Sequence, residues 1–301
     1  MPGLMLLDTP SLYFRAFYGV PESMTAPDGM PVNAVRGLID MIATLVRANS
    51  PGELVACMDA DWRPAFRVAA IPSYKAHRVA TGDQEEVPDT LEPQVPVIER
   101  VLDAVGIARI GVPGYEADDV IGTCAARATG PVDIVTGDRD LFQLVNDAQP
   151  CRVLYTIKGI RNLQVFDEAQ VTAKYGIPGR AYADYATLRG DPSDGLPGVP
   201  GVGDKTAAAL VTRFGSLAAI LEALDDGVAE GFPAGSRTKL ANARDYLEVA
   251  PKVVKVAHDA PLPDVPLARP VAARDPEALV ALADRYGLDG PLNRLLAALA
   301  G

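Results

Sequence analysis

The stretch that decides the fold is VDIVTGDRD at residues 132–140. Its first five residues, mainly apolar and of strand length, lead into a turn that carries Asp138 and Asp140. Two other apolar runs end in the same way, LMLL before Asp8 and LVACM before Asp59. Such runs alternate with helix-like stretches, which is typical of a parallel sheet with crossover helices. We therefore predict an α/β fold whose mostly parallel central sheet is flanked by helices.

The three strand ends are also the first indication of a site. The carboxyl ends of parallel strands meet at one edge of the sheet, where open α/β sheets place their functional sites. For a single strand, an aspartate in this position more often caps the next helix. Three such strands, one of which carries two aspartates, favour a shared carboxylate cluster.

A further acidic group, GYEADD at residues 114–119, opens a predicted helix. The helix macrodipole stabilises an acid there by about 0.3–1 kcal/mol, which accounts for one or two of the three acids. Together with the strand ends and a glycine-rich loop, this group gives nine candidate ligands: Asp8, Asp59, Glu116, Asp118, Asp119, Asp138, Asp140, Asp191 and Asp194. These acids account for most of the net charge of -11, and without cations several of them would have to take up protons.

Divalent cations resolve this repulsion, and the residue types indicate which ones. Oxygen ligands without histidine or cysteine prefer Mg²⁺ or Mn²⁺ to zinc. The chain has only two histidines, and its three cysteines, Cys57, Cys124 and Cys151, have no CxxC spacing; we predict them to be buried and reduced. More acids than one ion can use indicate two ions about 3.5–4 Å apart, an arrangement that hydrolyses phosphodiesters.

The overall charge at first argues against a nucleic-acid partner. The 301 residues include 28 Lys and Arg against 39 Asp and Glu, and phosphate backbones attract basic surfaces. That argument fails if the acids gather in one metal-binding cleft while bases line another face. No apolar run reaches the roughly 20 residues of a membrane helix, and the opening run is too short for a signal peptide, so we expect no membrane partner and a cytoplasmic location.

Five separated motifs resemble, in the same order, those of the structure-specific 5′ nuclease family. This family comprises bacterial 5′-3′ exonucleases and flap endonucleases, including the nuclease domain of DNA polymerase I. The matching motifs are SYKAHR (73–78), GYEADD (114–119), TGDRDLFQL (136–144), GDPSDGLPG (190–198) and GVGDKTA (201–207). The resemblance covers residues 4 to about 220.

The resemblance implies an enzyme that hydrolyses DNA at 5′ ends and 5′ flaps in replication and repair, including removal of RNA primers. One ion would be held mostly by Asp8, Asp59, Glu116 and Asp118, and the other mostly by Asp118, Asp138, Asp140 and Asp194. Asp119 and Asp191 would support these ligands. Since no polymerase segment follows residue 301, we expect the stand-alone form.

The same resemblance gives roles to basic and aromatic residues. A polar insertion at about residues 70–96, read from its composition as an exposed segment, would form a helical arch over the metals. Lys75 and Arg78 would stabilise the phosphate in the transition state, Tyr74 would stack on an unpaired base, and Arg15 would meet phosphate near the site.

A glycine-rich loop before an alanine-rich helix is the candidate DNA-binding element. Gly201, Gly203, Lys205 and Thr206 would offer unobstructed N–H groups and a helix N-terminus to a phosphate, although a plain helix–hairpin connection gives the same pattern. The loop resembles the family's helix-three-turn-helix motif, which implies a K⁺ ion on loop carbonyls and sequence-blind binding.

The organisation expected from these readings has three parts. Residues 1–172 form the α/β nuclease core with the arch, residues 173–262 the helix-three-turn-helix region, and residues 263–301 an extended segment and helices that pack on the core. We expect a monomer that binds DNA with a 5′ end or flap, and RNA–DNA hybrids as a further substrate class.

Three other functions were weighed against this one. A catalytically silent branched-DNA-binding protein of the same fold would lack ligands, and none is missing from the sequence. A metal-dependent phosphatase would need a second aspartate two residues after Asp8, where Pro10 stands. A single-strand ribonuclease with a related carboxylate core stays open, although the duplex-binding loop favours DNA junctions.

Overall fold

The computed structural model describes residues 3–80, 82 and 84–301, and its centre is a six-stranded sheet. The strands are β1 (Leu4–Asp8), β2 (Glu53–Cys57), β3 (Ala108–Ile110), β4 (Val132–Thr136), β5 (Cys151–Tyr155) and β6 (Gln164–Phe166). Their order is β3-β2-β1-β4-β5-β6, and all are parallel except β6, which pairs antiparallel with β5. The predicted α/β class with a mostly parallel sheet is confirmed.

Fourteen α-helices flank or extend this sheet in the described residues. They are α1 (Thr9–Gly19), α2 (Asn33–Asn49), α3 (Ala65–Ala70), α4 (Val95–Val105), α5 (Ala117–Arg127), α6 (Glu168–Tyr175), α7 (Tyr182–Arg189), α8 (Asp204–Phe214), α9 (Leu217–Asp225), α10 (Ser236–Asn242), α11 (Arg244–Val249), α12 (Pro251–Val254), α13 (Pro276–Tyr286) and α14 (Asp289–Ala300).

Strand β1 is buried on both faces because its side chains alternate between two cores. Leu4 and Leu6 pack with residues of α5, α7 and α8, whereas Met5 and Leu7 pack with residues of α2, α4 and α14. The sheet is therefore covered by helices on both sides, which leaves its strand ends as the place for a cleft. The three cysteines are free and buried, as predicted.

The chain reverses its direction across the sheet at β1. It runs from β1 outward through β2 to β3 and then returns to β4 on the other side of β1. Such a switch point opens a crevice beyond the carboxyl ends of the two central strands. Leu7 pairs with Val135 and Asp8 pairs with Cys57, so the loops after β1, β2 and β4 begin side by side.

As far as the structure describes it, the insertion at about residues 70–96 does not form the helical arch that the sequence predicted. In the described residues between α3 and α4, the regular elements are short 3₁₀ turns at Ala76–Arg78 and Glu92–Gln94 and one antiparallel bridge between Val79 and Glu85. Prolines at positions 72, 88 and 93 withhold backbone donors that a continuous helix needs. We call residues 71–80, 82 and 84–91 the strap.

The strap is fastened to the glycine-rich loop that connects α7 and α8. The backbone N–H of Lys75 donates to the carbonyl of Asp194 at 2.9 Å, and the Ser73 hydroxyl donates to the carbonyl of Gly195 at 2.8 Å. The loop itself folds back on α7, where Gly190 and Gly198 bring two backbone segments into contact. Two segments more than a hundred residues apart thus meet beside the strand ends.

Within the described residues, no single helix is long and apolar enough to cross a membrane. The bent pair α8 and α9 passes that test only when its two helices are combined, and only by length and composition.

Replacing Gly198 by Ala tests the packing of this loop. Gly198 has a φ of +67°, and a Cβ there would lie 2.5 Å from the backbone of Arg189. Since both the left-handed backbone and the overlap oppose a side chain, we expect a loss of about 2–4 kcal/mol in the free energy of unfolding, measured by urea denaturation. Gly130→Ala is the control, because a Cβ at Gly130 meets nothing within 4 Å. Equal stability losses in both variants would contradict the argument.

Candidate active site

A cleft of about 320 Å³ lies beyond the carboxyl ends of β1, β2 and β4 and is lined mainly by acids. Of the predicted ligands, the cleft contains Asp8, Asp59, Glu116, Asp118, Asp138, Asp140, Asp191 and Asp194. Lys75 and Arg78 reach the same cleft from the strap. The tertiary structure thus brings together eight of the nine predicted carboxylates and two of the predicted cations.

Asp8 is fixed by its position at the junction of β1 and α1. One carboxylate oxygen accepts the N–H of Ser11 at 3.2 Å and so caps α1, and the other accepts the Thr136 hydroxyl at 2.6 Å. The Thr136 hydroxyl oxygen in turn accepts the N–H of Asp138 at 2.8 Å. Asp8 therefore both caps α1 and lines the cleft. Thr136, which binds Asp8 and Asp138, links the ends of β1 and β4.

The acids that follow β2 and open α5 are coupled in a similar way. The Asp59 carboxylate accepts, at 2.7 Å, the N–H of Ala117, and Ala117 is the first residue of α5. Glu116 precedes α5 as its N-cap residue, and Asp118 lies one residue further into the helix. The N-terminus of α5 thus points at the cleft and partly offsets its negative charge.

Burial and mutual repulsion keep several of these carboxylates from ionising easily. Burial, with Asp138 nearby, raises the pKa of Asp8 to about 6, and burial together with Glu116 raises the pKa of Asp59 to about 7. Burial and neighbouring carboxylates also raise the pKa of Asp118 and of Asp140 well above the usual value. Such shifts mark a site that is short of positive charge.

The donor set fits hard divalent cations. One carboxylate oxygen of Asp140 is buried without a hydrogen-bond partner in the described structure, and such an atom normally has one. The acids that line the cleft supply oxygen only, as Mg²⁺ and Mn²⁺ prefer. No three of the described acids, cysteines or histidines are grouped tightly enough to form a ready-made metal cluster, so side chains such as Lys75 and Arg78 would have to yield to bound ions.

Lys75 is the cation at the centre of the cleft. Its ammonium forms an ion pair with Glu116 and donates to the carbonyl of Trp62 at 3.3 Å. Its backbone has a φ of +48°, in the left-handed region that a lysine rarely adopts. The strap therefore presents Lys75 to the carboxylates from a specific, strained turn.

Tyr74 does not have the position expected of a base-stacking residue. Only 4% of it is exposed, and its hydroxyl donates to both carboxylate oxygens of Glu116 at 2.8 and 3.0 Å. The ring is buried in the core beside Ile71 and is not available to a nucleotide. Tyr74 binds Glu116 in this structure, and its stacking on an unpaired base stays a prediction.

Asp119 is the one predicted carboxylate that does not line the cleft. It forms a paired interaction with Arg67 at 2.7 and 2.8 Å and accepts the N–H groups of Glu116 and Ala257. Its oxygens are engaged by these donors, which agrees with the supporting position that the resemblance implies, and direct metal binding by Asp119 stays a prediction.

Arg67 is the main residue that the sequence analysis missed. It is 2% exposed, it contacts both Glu116 and Asp119, and it donates to the carbonyl of Val253 at 3.0 Å. The sequence signal for Arg67 is that it is the single cation in the short, otherwise apolar helix α3. Thr136, Trp62 and Glu85 were missed as well: Thr136 binds Asp8, and the other two line the cleft.

Arg78 lines the cleft, whereas Arg15 does not. Arg78 pairs with Asp194 at 2.8 Å and donates to the carbonyl of Ser193 at 2.7 Å, so it links the strap to the glycine-rich loop. Arg15 donates to the Thr156 hydroxyl at 3.1 Å and lies behind Gly137, outside the described lining of the cleft. Its contact with phosphate stays a prediction.

The candidate DNA-binding loop leads into α8. Gly203 is the N-cap of α8, and Lys205 and Thr206 lie in its first turn. The carbonyl of Gly201 accepts the ammonium of Lys239 at 2.8 Å, so a fixed cation already uses this acceptor. The structure therefore gives no support to a K⁺ ion on Gly201, and K⁺ in this loop stays a prediction.

Comparison with known families covers most of the chain, residues 3–276. The family described as 5'-3' exonuclease, N-terminal resolvase-like domain, matches residues 3–176, and the 5'-3' exonuclease, C-terminal SAM fold, matches residues 177–276. The chain therefore belongs to the 5′-3′ exonuclease family, as its motifs indicated, and is a 5′ nuclease.

Individual relatives agree with this assignment. A 5′-3′ exonuclease of Streptomyces coelicolor is 65% identical over 98% of this chain and 99% of its own length. A 5′-3′ exonuclease of Mycobacterium tuberculosis is 53% identical over 98% and 97%. DNA polymerase I of Mycobacterium bovis is 44% identical over 74% of this chain, which corresponds to 24% of the polymerase.

Solved structures share the fold at low sequence identity. The T5 5′-exonuclease with divalent zinc ions bound matches with a TM-score of 0.64 and 17% identity, over 99% of this chain and 98% of that one. The catalytic core of Rad2 in complex with DNA substrate matches with a TM-score of 0.58 and 17% identity, over 99% and 93%.

The raised pKa of Asp59 predicts a pH-dependent stability. The folded-state value, about 7, exceeds the ordinary value of 3.8, so the stabilising proton is lost as the pH rises through about 7. Asp59→Asn removes the free-energy cost of ionising this buried carboxyl. Without metal it should raise the melting temperature by roughly 2–5 °C near pH 8 and by less near pH 5, because the native protein loses this stability progressively between pH 3.8 and about 7.

The measurement is thermal unfolding of both proteins in EDTA and with added Mn²⁺. We expect Mn²⁺ to stabilise the native sequence more than the Asp59→Asn variant, because the variant lacks a charged ligand. If the melting temperatures of Asp59→Asn and the native protein differ by the same amount at pH 5 and pH 8 in EDTA, the raised pKa of Asp59 is contradicted.

Proposed function

We propose that this protein hydrolyses DNA phosphodiesters at 5′ ends and 5′ flaps with the help of two divalent cations. The observation that carries the proposal is the convergence of eight carboxylates from separate parts of the chain in one cleft. The family assignment supports the 5′ polarity. A catalytically silent DNA-binding protein would have no reason to retain so costly a cluster of like charges.

The proposed ligand sets follow the family resemblance. Asp8, Asp59, Glu116 and Asp118 would hold one ion, and Asp118, Asp138, Asp140 and Asp194 the other, with Asp191 in support. When bound, two Mg²⁺ or Mn²⁺ ions would help to generate the nucleophile from water and neutralise charge on the scissile phosphate. The zinc-bound T5 relative supports divalent cations as a class.

The strap would supply positive charge to the phosphate. Lys75 pairs with Glu116 and Arg78 pairs with Asp194, and both carboxylates are proposed ligands. When cations and DNA enter, the two basic side chains would leave these acids and donate to phosphate oxygens, where charge develops during the reaction. Arg67 and Tyr74 would hold Glu116 in place meanwhile.

Finer features of this function also stay proposals. Flap specificity, tolerance of RNA in the cleaved strand, the monomeric state and the cytoplasmic location rest on the sequence resemblance and composition. The DNA-bound Rad2 relative supports binding of DNA through this fold.

A labelled substrate tests the proposal directly. A duplex with a 5′ flap, labelled at either end in separate reactions, is incubated with Mg²⁺, Mn²⁺ or EDTA. We expect cleavage near the flap junction or stepwise from the 5′ end with either metal and none with EDTA. Cleavage from the 3′ end, or activity in EDTA, would overturn the proposal.

Asp138→Asn tests the metal-ligand role. The amide cannot supply the negative charge, so we expect the cleavage rate to fall by more than about a hundredfold while flap binding is retained. Rates are measured with saturating Mg²⁺ under single-turnover conditions. Asp245→Asn on the exposed side of α11 is the matched control, and full activity of Asp138→Asn would remove Asp138 from the ligand set.

Lys75→Ala tests whether the strap contributes to the chemical step. We expect the single-turnover rate to fall by about a hundredfold, while the affinity for flap DNA changes far less. Lys252→Ala on α12, an exposed lysine, serves as the control. Equal losses in rate and affinity would mean that Lys75 only anchors the substrate.

A further inference from the structure

A second cavity lies next to the acidic cleft and has the opposite charge. It has a volume of about 540 Å³, and its walls carry Arg139, Lys174, Arg189 and Lys205 against the single acid Asp204. We call it the basic cavity. Four cations in one cavity stand out in a chain whose net charge is -11, because a random surface of this composition would be mostly negative.

Arg139 makes the two cavities continuous. It lies between Asp138 and Asp140, two proposed metal ligands, and it lines both the acidic cleft and the basic cavity. Its guanidinium is 41% exposed and reaches Asp191 only at 3.7 Å. A polyanion that passes through the cleft therefore meets a positively charged wall as it leaves.

Lys174 is held in place by aromatic rings and not by an acid. Its ammonium lies 5.1 Å from the ring centre of Phe166, 5.3 Å from that of Tyr175 and 5.8 Å from that of Tyr155. Neither Lys174 nor Lys205 forms an ion pair with a carboxylate in the described part of the chain. Rings orient a cation without neutralising it, so the charge of Lys174 remains available to an anion.

Arg189 is positioned by the opposite wall. It lies over the ring of Tyr185 at 5.5 Å, pairs with Asp191 of the acidic cleft at 3.4 Å and approaches Asp204 at 3.8 Å. The Tyr185 hydroxyl donates to the Asp204 carboxylate at 2.6 Å. The only acid of the cavity is therefore engaged by its own neighbours. The cavity presents oriented N–H donors, which match the oxygens of a phosphate group.

We propose that the basic cavity binds a backbone phosphate of the DNA strand that continues from the acidic cleft. The proposal rests on the nuclease function proposed above and adds Arg139, Lys174 and Arg189 as contacts to phosphate. These contacts position the strand and carry no sequence information. The cavity would hold the duplex in register with the metal-binding carboxylates.

The first test is the salt dependence of binding. Lys174→Ala and the control Lys252→Ala are titrated with a fluorescent 5′-flap duplex in EDTA at several KCl concentrations. We expect Lys174→Ala to weaken binding by about 3–10-fold at low salt and to reduce the slope of log Kd against log salt by about one. Lys252→Ala should change neither quantity, and Lys174→Arg should restore most of the affinity.

The second test locates the phosphate. Single methylphosphonates, which lack the phosphate charge, are placed one at a time along the cleaved strand. We expect one or two positions beside the scissile bond to weaken binding by the native protein, and the same positions to have no further effect on Lys174→Ala. If Lys174→Ala remains as sensitive as the native protein at every position, the basic cavity does not bind these phosphates.

The outcomes separate this proposal from the nuclease function. If flap DNA is cleaved normally and Lys174→Ala, with an unchanged melting temperature, binds like the native protein, only the phosphate site is wrong. If no cleavage occurs with Mg²⁺ or Mn²⁺ but Lys174→Ala loses affinity at the expected positions, the phosphate site holds and the nuclease proposal fails.

Discussion

The mutual repulsion of carboxylates at the strand ends is the constraint on which the rest of the structure depends. Parallel strands bring their carboxyl ends to one edge of the sheet. The switch point between β1 and β4 opens a cleft at that edge. Burial then raises the pKa of several acids. The surrounding elements can be understood as ways to position these charges until cations neutralise them.

Buried cations and cations on the strap pair with some of these carboxylates and so position them. Arg67 pairs with Glu116 and Asp119 inside the protein, and the strap brings Lys75 and Arg78 to the open side. The pairs of Arg67 are buried, whereas those of the strap lie at the open cleft, where we propose that they exchange a carboxylate for a phosphate. Under the proposed function, the same acids would contribute to fold stability, metal binding and substrate recognition.

Charge is also separated between two adjacent cavities. The acidic cleft and the basic cavity share Arg139, so positive and negative surfaces lie side by side in a chain that is acidic as a whole. Net charge therefore says little about DNA binding here, because it averages over two surfaces with opposite tasks.

The sequence by itself determined the α/β class, the three strands β1, β2 and β4, the edge at which they end, and the eight carboxylates, of the nine predicted, that line the cleft. It did so because apolar runs that end in aspartate report both strand position and strand direction. Only the tertiary structure decided the roles of Tyr74, Asp119 and Arg67. A spacing along the chain does not reveal which way a side chain faces at a crowded helix terminus. There, Arg67 from a distant helix binds Asp119, and the Tyr74 hydroxyl turns inward to Glu116.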